Sequence, residues 1–185
     1  MALWGNTDAD EAKPKWLTTA QKETVYATDR GWVQLNSKGI EEVICAIGEL
    51  STSIVSADIN TAAFVTTSFS EATGGNIDIR LTYNEKVTVD TSGGTPSIVV
   101  TNDQAGSGTD ATFAAAYQSG SGTNRLVFRA TFAAADGGVA EDDVLSIASQ
   151  NIVLNSGTII DTGTNPAVNS SLAVPAGSGT LTASA

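Results

Sequence analysis

Carboxylates and indoles are the residues of this chain that could do chemistry. Twenty Asp and Glu stand against nine Lys and Arg, there is no histidine, and Cys45 is the single cysteine. The densest acidic stretch is Asp136-Gly137-Gly138-Val139-Ala140-Glu141-Asp142-Asp143. Hard oxygens on a loop suit Ca²⁺, but this spacing matches no calcium loop, the twelve-residue helix-loop-helix type included. The expected reading is a solvated acidic loop with no metal, and Asp90, Asp103 and Asp110 on neighbouring turns are read the same way. Glycosidase chemistry needs two carboxyls at a fixed separation. Glu71 with Asp78 or with Glu85 can be drawn as such a pair, but sequence alone does not bring them together. Glu85 is better read as a structural hydrogen-bonding residue at a strand kink. No catalytic residue, cofactor or metal ligand is assigned.

Other chemistries fall away by residue type. Without histidine there is no serine–histidine triad, no His-bearing zinc site and no general base of the usual neutral-pH kind. Cys45 lies in Glu42-Val43-Ile44-Cys45-Ala46-Ile47, has no histidine to activate it and no second cysteine to pair with. It reads as a small core residue. The glycine-rich turns carry no phosphate-loop lysine and precede no helix, so nucleotide binding is not expected. A formal net charge of −11 repels nucleic-acid phosphates and anionic membranes. No apolar run approaches the ~20 residues of a spanning helix, and the opening Met1-Ala2-Leu3-Trp4-Gly5-Asn6 lacks the basic and apolar regions of a signal peptide. Assembly in a cytoplasm is the expectation.

The indoles are the more telling group. Trp4, Trp16 and Trp32 all fall in the first fifth of the chain, with Lys13, Lys15, Lys22 and Arg30 among them and Lys38 just beyond. Tryptophan dominates interface hot spots because it buries a large area and keeps a polar handle. Fifty residues with two hairpin strands are too few to enclose three indoles. The rings are therefore expected to dock on the rest of the chain or on another chain, with the lysines facing an acidic partner or balancing Asp8, Asp10 and Glu11.

The elements that would position these residues follow from periodicity. In the front segment, 1–50, a polar run at 6–15 holds Pro14 and reads as an extended arm. Thr18 or Thr19 caps a short helical turn through Gln21, Lys22 and Glu23. Strands at 31–35 and 42–47 pair through Asn36, Lys38 and Gly39. Beyond residue 50 the chain turns rich in Thr, Ser, Gly and Ala. Ile77, Ile79, Leu81 and Tyr83 alternate with Asp78, Arg80 and Thr82, as a half-buried strand requires. Strands are predicted at 76–83, 86–90, 97–101, 111–118, 124–132, 143–148, 151–154, 158–160 and 170–174. An extended connector plus a first strand over 57–69 precedes them, anchored by Phe64 and Val65. Many short strands between glycine-rich turns indicate an all-β sandwich with Greek-key connections. The tail, 176–185, has only Leu181 as an anchor and is expected to be mobile or held by a neighbour. The expected division is an anchoring arm and hairpin at 1–50, a sandwich at 51–175 and the tail.

Two resemblances extend this reading. Leu81-Thr82-Tyr83-Asn84-Glu85-Lys86-Val87-Thr88-Val89-Asp90, then Gly93-Gly94-Thr95-Pro96, Tyr117-Gln118-Ser119-Gly120-Ser121-Gly122-Thr123-Asn124-Arg125-Leu126-Val127-Phe128 and Asn155-Ser156-Gly157-Thr158-Ile159-Ile160-Asp161 resemble the bacterial immunoglobulin-like repeat of large surface adhesins. The motif set occurs once here, whereas adhesins carry long arrays. The opening, Trp4-Gly5-Asn6-Thr7-Asp8 with Lys13-Pro14-Lys15-Trp16, Tyr26-Ala27-Thr28 and Gly31-Trp32-Val33, is similar to the N-terminal module of virion structural proteins from T-even-like tailed phages of marine bacteria. Together the resemblances imply a non-enzymatic virion protein of the capsid-decoration kind displaying an immunoglobulin-like β-sandwich. Trp4, Lys13, Lys15, Trp16, Tyr26 and Trp32 would contact the partner. That partner is the major capsid protein or another virion protein, with homo-oligomeric or lattice-bound copies and weak host-glycan contact. A glycan-binding or adhesion module on a phage tail or bacterial surface is the alternative. It would need an exposed aromatic platform.

Overall fold

A computed structural model describes residues 13–54, 56–105, 110–135, 137–161 and 168–185. The chain is all-β with a sandwich-like arrangement of sheets. A small front sheet is built from β1 (Tyr26–Thr28), β2 (Gly31–Leu35) and β3 (Glu41–Ala46), with β2 in the middle. Before it, Thr18 caps α1 (Thr19–Thr24) through a capping box with Gln21, which shields the first-turn N–H groups. After it comes the single turn α2 (Leu50–Ser53). The β2–β3 turn is fixed by Asn36, whose Oδ1 accepts from the N–H groups of Lys38 and Ile40 at 2.9 and 3.0 Å. At the start of β2, Gly31 has φ +119°, and a Cβ there would collide with the backbone at Cys45 and Ile47. The front segment is thus three-stranded, one strand richer than the expected hairpin. Its extra strand, β1, has too few residues to display an alternation.

The main sheet has ten strands. In chain order these are β4 (Ile59–Phe64), β5 (Phe69–Ser70), β6 (Gly75–Asp90), β7 (Ser97–Asp103), β8 (Ala111–Ser119), β9 (Thr123–Phe132), β10 (Val144–Ser146), β12 (Thr158–Asp161), β13 (Val168–Asn169) and β15 (Leu181–Ser184). Across the sheet the order is β13-β12-β6-β9-β8-β7-β10-β15-β5, with β4 also on β6. A separate pair joins β11 (Gln150–Asn151) to β14 (Ala173–Val174). Strongly twisted sheets of this width curl or split. Here Ile159 of β12 and Phe69 and Leu181 from the opposite end share one core cluster with Ile79, Leu81, Phe128 and Leu145, so the two ends of the strand order face one another across a common interior.

β6 organises the arrangement. One edge pairs with β9 from Gly75↔Phe132 to Thr82↔Arg125. The other edge takes β4 along Ile79–Tyr83 and then β12 along Val87–Asp90. The register against β9 shifts between Thr82 and Val87. Sequence periodicity predicts two strands separated there, because Asn84-Glu85-Lys86 is polar. The backbone instead runs on as one sixteen-residue strand. Leu81, Thr82, Tyr83, Asn84 and Glu85 are all buried, which a strand with one solvated face does not show. β1 and α1 lie against this stretch.

The tail differs from expectation. Leu181–Ser184 is a strand held between β10 and β5, antiparallel to the first and parallel to the second. Leu181 and Ala183 are buried in the core, and the Ser70 hydroxyl donates to the Ala185 carbonyl at 2.7 Å. Alternation through small residues hides this strand in the sequence. Val65, expected as an anchor, is 44% exposed, while Phe64 packs on the core. Deleting residues 181–185 strips two core side chains and opens two sheet edges. The deletion is expected to abolish a cooperative thermal transition in calorimetry. A melt indistinguishable from the intact chain's would show that this strand carries no stability.

Candidate functional site

The front sheet encloses its own core. Trp32 is fully buried among Leu17, Val25, Ala27, Leu50 and Ile54, with Ile44, Cys45 and Ile47 at the margin. Segment one, expected to be too small for three indoles, does enclose this one. The extra strand β1 and the turns on either side supply the walls that a bare hairpin lacks. Lys13 is also buried. Its Nζ donates to the Lys22 carbonyl at 2.8 Å and lies 5.9 Å from the centre of the Trp32 ring, a cation–π distance. Lys13 and Trp32 therefore act as internal packing rather than contact surface. Tyr26 is buried too, its hydroxyl donating to Glu41 Oε1 at 2.9 Å. Lys15 is exposed, and Trp16 is 67% exposed. Trp4 lies outside the described residues.

Of the five predicted contact residues that are described, Lys15 and Trp16 remain as surface. Sequence reasoning missed two apolar residues on the same module, Ile40 and Val43, 59% and 43% exposed. Val43 belongs to β3, which ends the order β1-β2-β3 and has no strand on its far edge among the described residues. The signal was present in the run Val43-Ile44-Cys45-Ala46-Ile47. It is continuously apolar, so the strand cannot hide all of it on one face. A register shift opposite Trp32 and Val33 adds to the irregularity.

Glu41 was also missed. It accepts from Tyr26, from Arg30 Nη2 at 2.5 Å and from Lys86 Nζ at 2.5 Å. Lys86 lies on β6, 5.8 Å from the centre of the Tyr26 ring, so this cluster ties the front sheet to the main one. The Lys86 hydrogen bond, helped by Tyr26 and Arg30, holds the Glu41 carboxyl below the usual range. Burial and the neighbouring Glu41 carboxylate push the Tyr26 phenol well up. Glu41, Arg30 and Lys86 are part-exposed, so their ion pairs contribute orientation more than stability.

The acidic residues separate into distinct roles. Asp78 is held by Arg129 through two contacts, 2.6 and 2.7 Å, across β6 and β9. Glu71 accepts from the Glu141 N–H at 3.2 Å. Of the two carboxyls drawn as partners for Glu71, Asp78 is thus ion-paired to Arg129 and Glu85 is buried in the core. In the acidic loop, Asp136 lies outside the described residues, and Glu141 and Asp142 are exposed. Asp143 is buried and accepts from Asn102 Nδ2, Ala105 N and Ala140 N at 2.8–2.9 Å. Burial alone would raise its carboxyl, but the three donors outweigh it and hold it below the usual range. Asp143 is a loop staple, and among the described residues no three His, Cys, Asp or Glu side chains form a ready metal centre.

Glu85 is the exception. It is 1% exposed, points into the core between Tyr83 and Val87, and faces the fully buried Asp161 of β12. Burial, then the Asp161 carboxylate and the hydrogen bond shared with it, then Asp58, raise its carboxyl to about 9. Glu85 is thus protonated at neutral pH. The aromatic residues of the main sheet offer no platform. Phe69, Tyr83 and Phe128 are buried, and Phe64, Phe113, Tyr117 and Phe132 pack on the core.

No family model matches the chain, and neither a curated protein nor a solved structure does so.

Two predictions follow from burial and charge. Trp32→Ala empties a closed core and should cost about 3–5 kcal/mol, whereas Trp16→Ala should stay within about 0.5 kcal/mol, both read by urea unfolding. Equal costs would contradict the assigned environments. Because Glu85 titrates near 9 when folded and near 4.5 when unfolded, stability due to it is full below about 4.5 and is lost as pH rises towards 9, with a slope up to about 1.4 kcal/mol per pH unit. Glu85→Gln, which can still donate to Asp161, should flatten that slope in urea titrations across this window. An unchanged slope would assign the pH dependence elsewhere.

Proposed function

We propose that this chain is a non-enzymatic virion structural protein. It anchors to the phage particle, on the capsid surface, through its front module and displays an immunoglobulin-like β-sandwich. The observation that carries the reading is the exposure of Trp16 on a module that fully buries Trp32. A solvent-facing indole with Ile40, Val43 and an uncapped edge strand on the same small sheet is what a docking element needs. Strand addition along β3 would satisfy its free backbone groups, and Trp16 would supply apolar area. The resemblance of the opening motifs to virion proteins of T-even-like phages of marine bacteria supports the choice of partner, a major capsid protein or another virion protein. The adhesin-like motifs of β6, β8, β9 and β12 support an immunoglobulin-like displayed domain. Copies bound on a lattice would multiply weak outward contacts, host glycans included, through effective concentration. A dedicated glycan-binding module is the weaker reading, because the main-sheet aromatics point inward.

The contact residues move from the buried Trp32, Lys13 and Tyr26 to Trp16, Lys15 and the β3 edge. Removing 1–50 would uncover β6, so point changes are the cleaner test. Trp16→Ser combined with Val43→Lys should leave the melting temperature nearly unchanged while the protein disappears from purified particles on denaturing gels. Undiminished incorporation would remove the front module from the attachment surface.

A further inference from the structure

Positive charge is confined to one part of this acidic chain. No Lys or Arg follows Arg129, and none lies between Lys86 and Arg125. All four arginines, Arg30, Arg80, Arg125 and Arg129, gather with Lys86 where the front sheet meets β6 and β9. In the β6–β9 register Arg80 stands opposite Val127, with Arg125 and Arg129 two positions to either side. The period of two therefore puts these three arginines on one face of the sheet at diagonal-neighbour spacing. That face is the outer one, since Ile79 and Leu81 on either side of Arg80 enter the core. Arg125 and Arg30 both act electrostatically on the Tyr26 hydroxyl, and Lys86 lies 5.8 Å from the centre of the same ring. A strip of cations thus runs from the front module onto the main sheet.

Acids answer only part of this strip. Glu41 pairs with Arg30 and Lys86, and Asp78 pairs with Arg129. Arg80 is exposed and Arg125 half-buried, and neither has an ion pair among the described residues. The cross-strand neighbours of Arg80, Ala63 and Val127, are small, so a partner surface can reach its guanidinium. Arginine presents a planar fork that takes a carboxylate through two bonds. The opposite charge collects at the far end of the strand order. Glu71 follows β5, Asp103 closes β7, and Glu141 and Asp142 precede β10. The Glu141 N–H donates to Glu71, and Asp103 is paired with Val144, so these four acids share one end of the sheet. Asp103, Glu141 and Asp142 are exposed.

We propose that copies of this chain associate head to tail, with the arginine strip of one seated on the Glu71–Asp103–Glu141–Asp142 end of the next. Strip and acidic end are different surfaces, so the contact is heterologous. It closes a ring where the rotation allows and otherwise extends a row. Nucleic acid is a poor alternative occupant, because the chain as a whole carries −11. Exposed ion pairs are individually weak, so the contact suits copies already held close together, where effective concentration multiplies it. It is independent of what the front module binds through Trp16 and β3.

The test is sedimentation velocity of the intact chain at about 0.15 M NaCl, where a Debye length of about 8 Å screens overall repulsion but not charges in contact. The weight-average sedimentation coefficient should rise with protein concentration. Arg80→Glu should weaken the association at least about tenfold and leave the melting temperature unchanged. Glu141→Lys combined with Asp103→Lys should weaken it equally, with Asp142, at φ +65°, left in place. Mixing the two variants should restore association, because each keeps the surface that the other has lost. A chain that stays monomeric at every concentration overturns the proposal, as does an association that Arg80→Glu leaves intact. Failure of the mixed variants to associate would separate the strip from the acidic end and overturn it too. Retention on heparin that Arg80→Glu abolishes, without self-association, would assign the strip to an anionic glycan instead.

Discussion

The burial of both faces of β6 is the constraint on which the rest depends. A strand at the surface of a sandwich needs one apolar face. Between Leu81 and Glu85 this one has no solvated side, because the main core lies on one face and the front module on the other. Ile77, Ile79, Leu81, Tyr83 and Val87 anchor the interior, and Thr82 and Asn84 on the other face are buried as well. The Glu41–Lys86–Tyr26 cluster closes the seam from the solvent side. Front sheet and main sheet thus share one strand as common ground, and the front module is more than a detachable arm.

The same strand carries the least comfortable group in the molecule. Glu85 sits where the β9 register slips and the opposite edge passes from β4 to β12. A protonated carboxyl there is tolerable, and a bare carboxylate is not. The irregular pairing leaves backbone groups that no single neighbour satisfies, and polar side chains from Asn84 and Asn124 fill in. Asn124 Nδ2 donates to the Tyr83 carbonyl at 3.2 Å. Polarity and irregular geometry at this point have a common origin.

Much of the fold is legible in the chain because period-two alternation survives in the longer strands. Ile98 and Val100 in β7, and Leu126, Phe128 and Ala130 in β9, fall on the inward side as the pattern demands. The capped turn at Thr18 and the hairpin at Asn36 are equally readable, since each rests on one side chain and its nearest backbone. What escaped was tertiary. The break expected at Asn84-Glu85-Lys86 is polar because it is sandwiched, and no local pattern distinguishes that from a turn. The strand at Leu181–Ser184 alternates through Thr, Ala and Ser, which carry little hydrophobic signal. The site was less legible still. Trp16 and Trp32 are the same residue type in similar company, and only the unrecognised β1 decides that one is enclosed and the other is not.

The seating of the last strand has a kinetic consequence. Ser184 bonds to Phe69 across 115 residues of chain, among the longest separations in the molecule. Loop closure over such a span is slow, and until it happens β5 and the edge of β10 away from β7 wait unpaired. A polypeptide emerging from the ribosome amino end first has every other strand of this sheet available before the one that joins them. For that interval it presents two ragged edges to its surroundings, so the yield of native molecules depends on how fast the final stretch arrives.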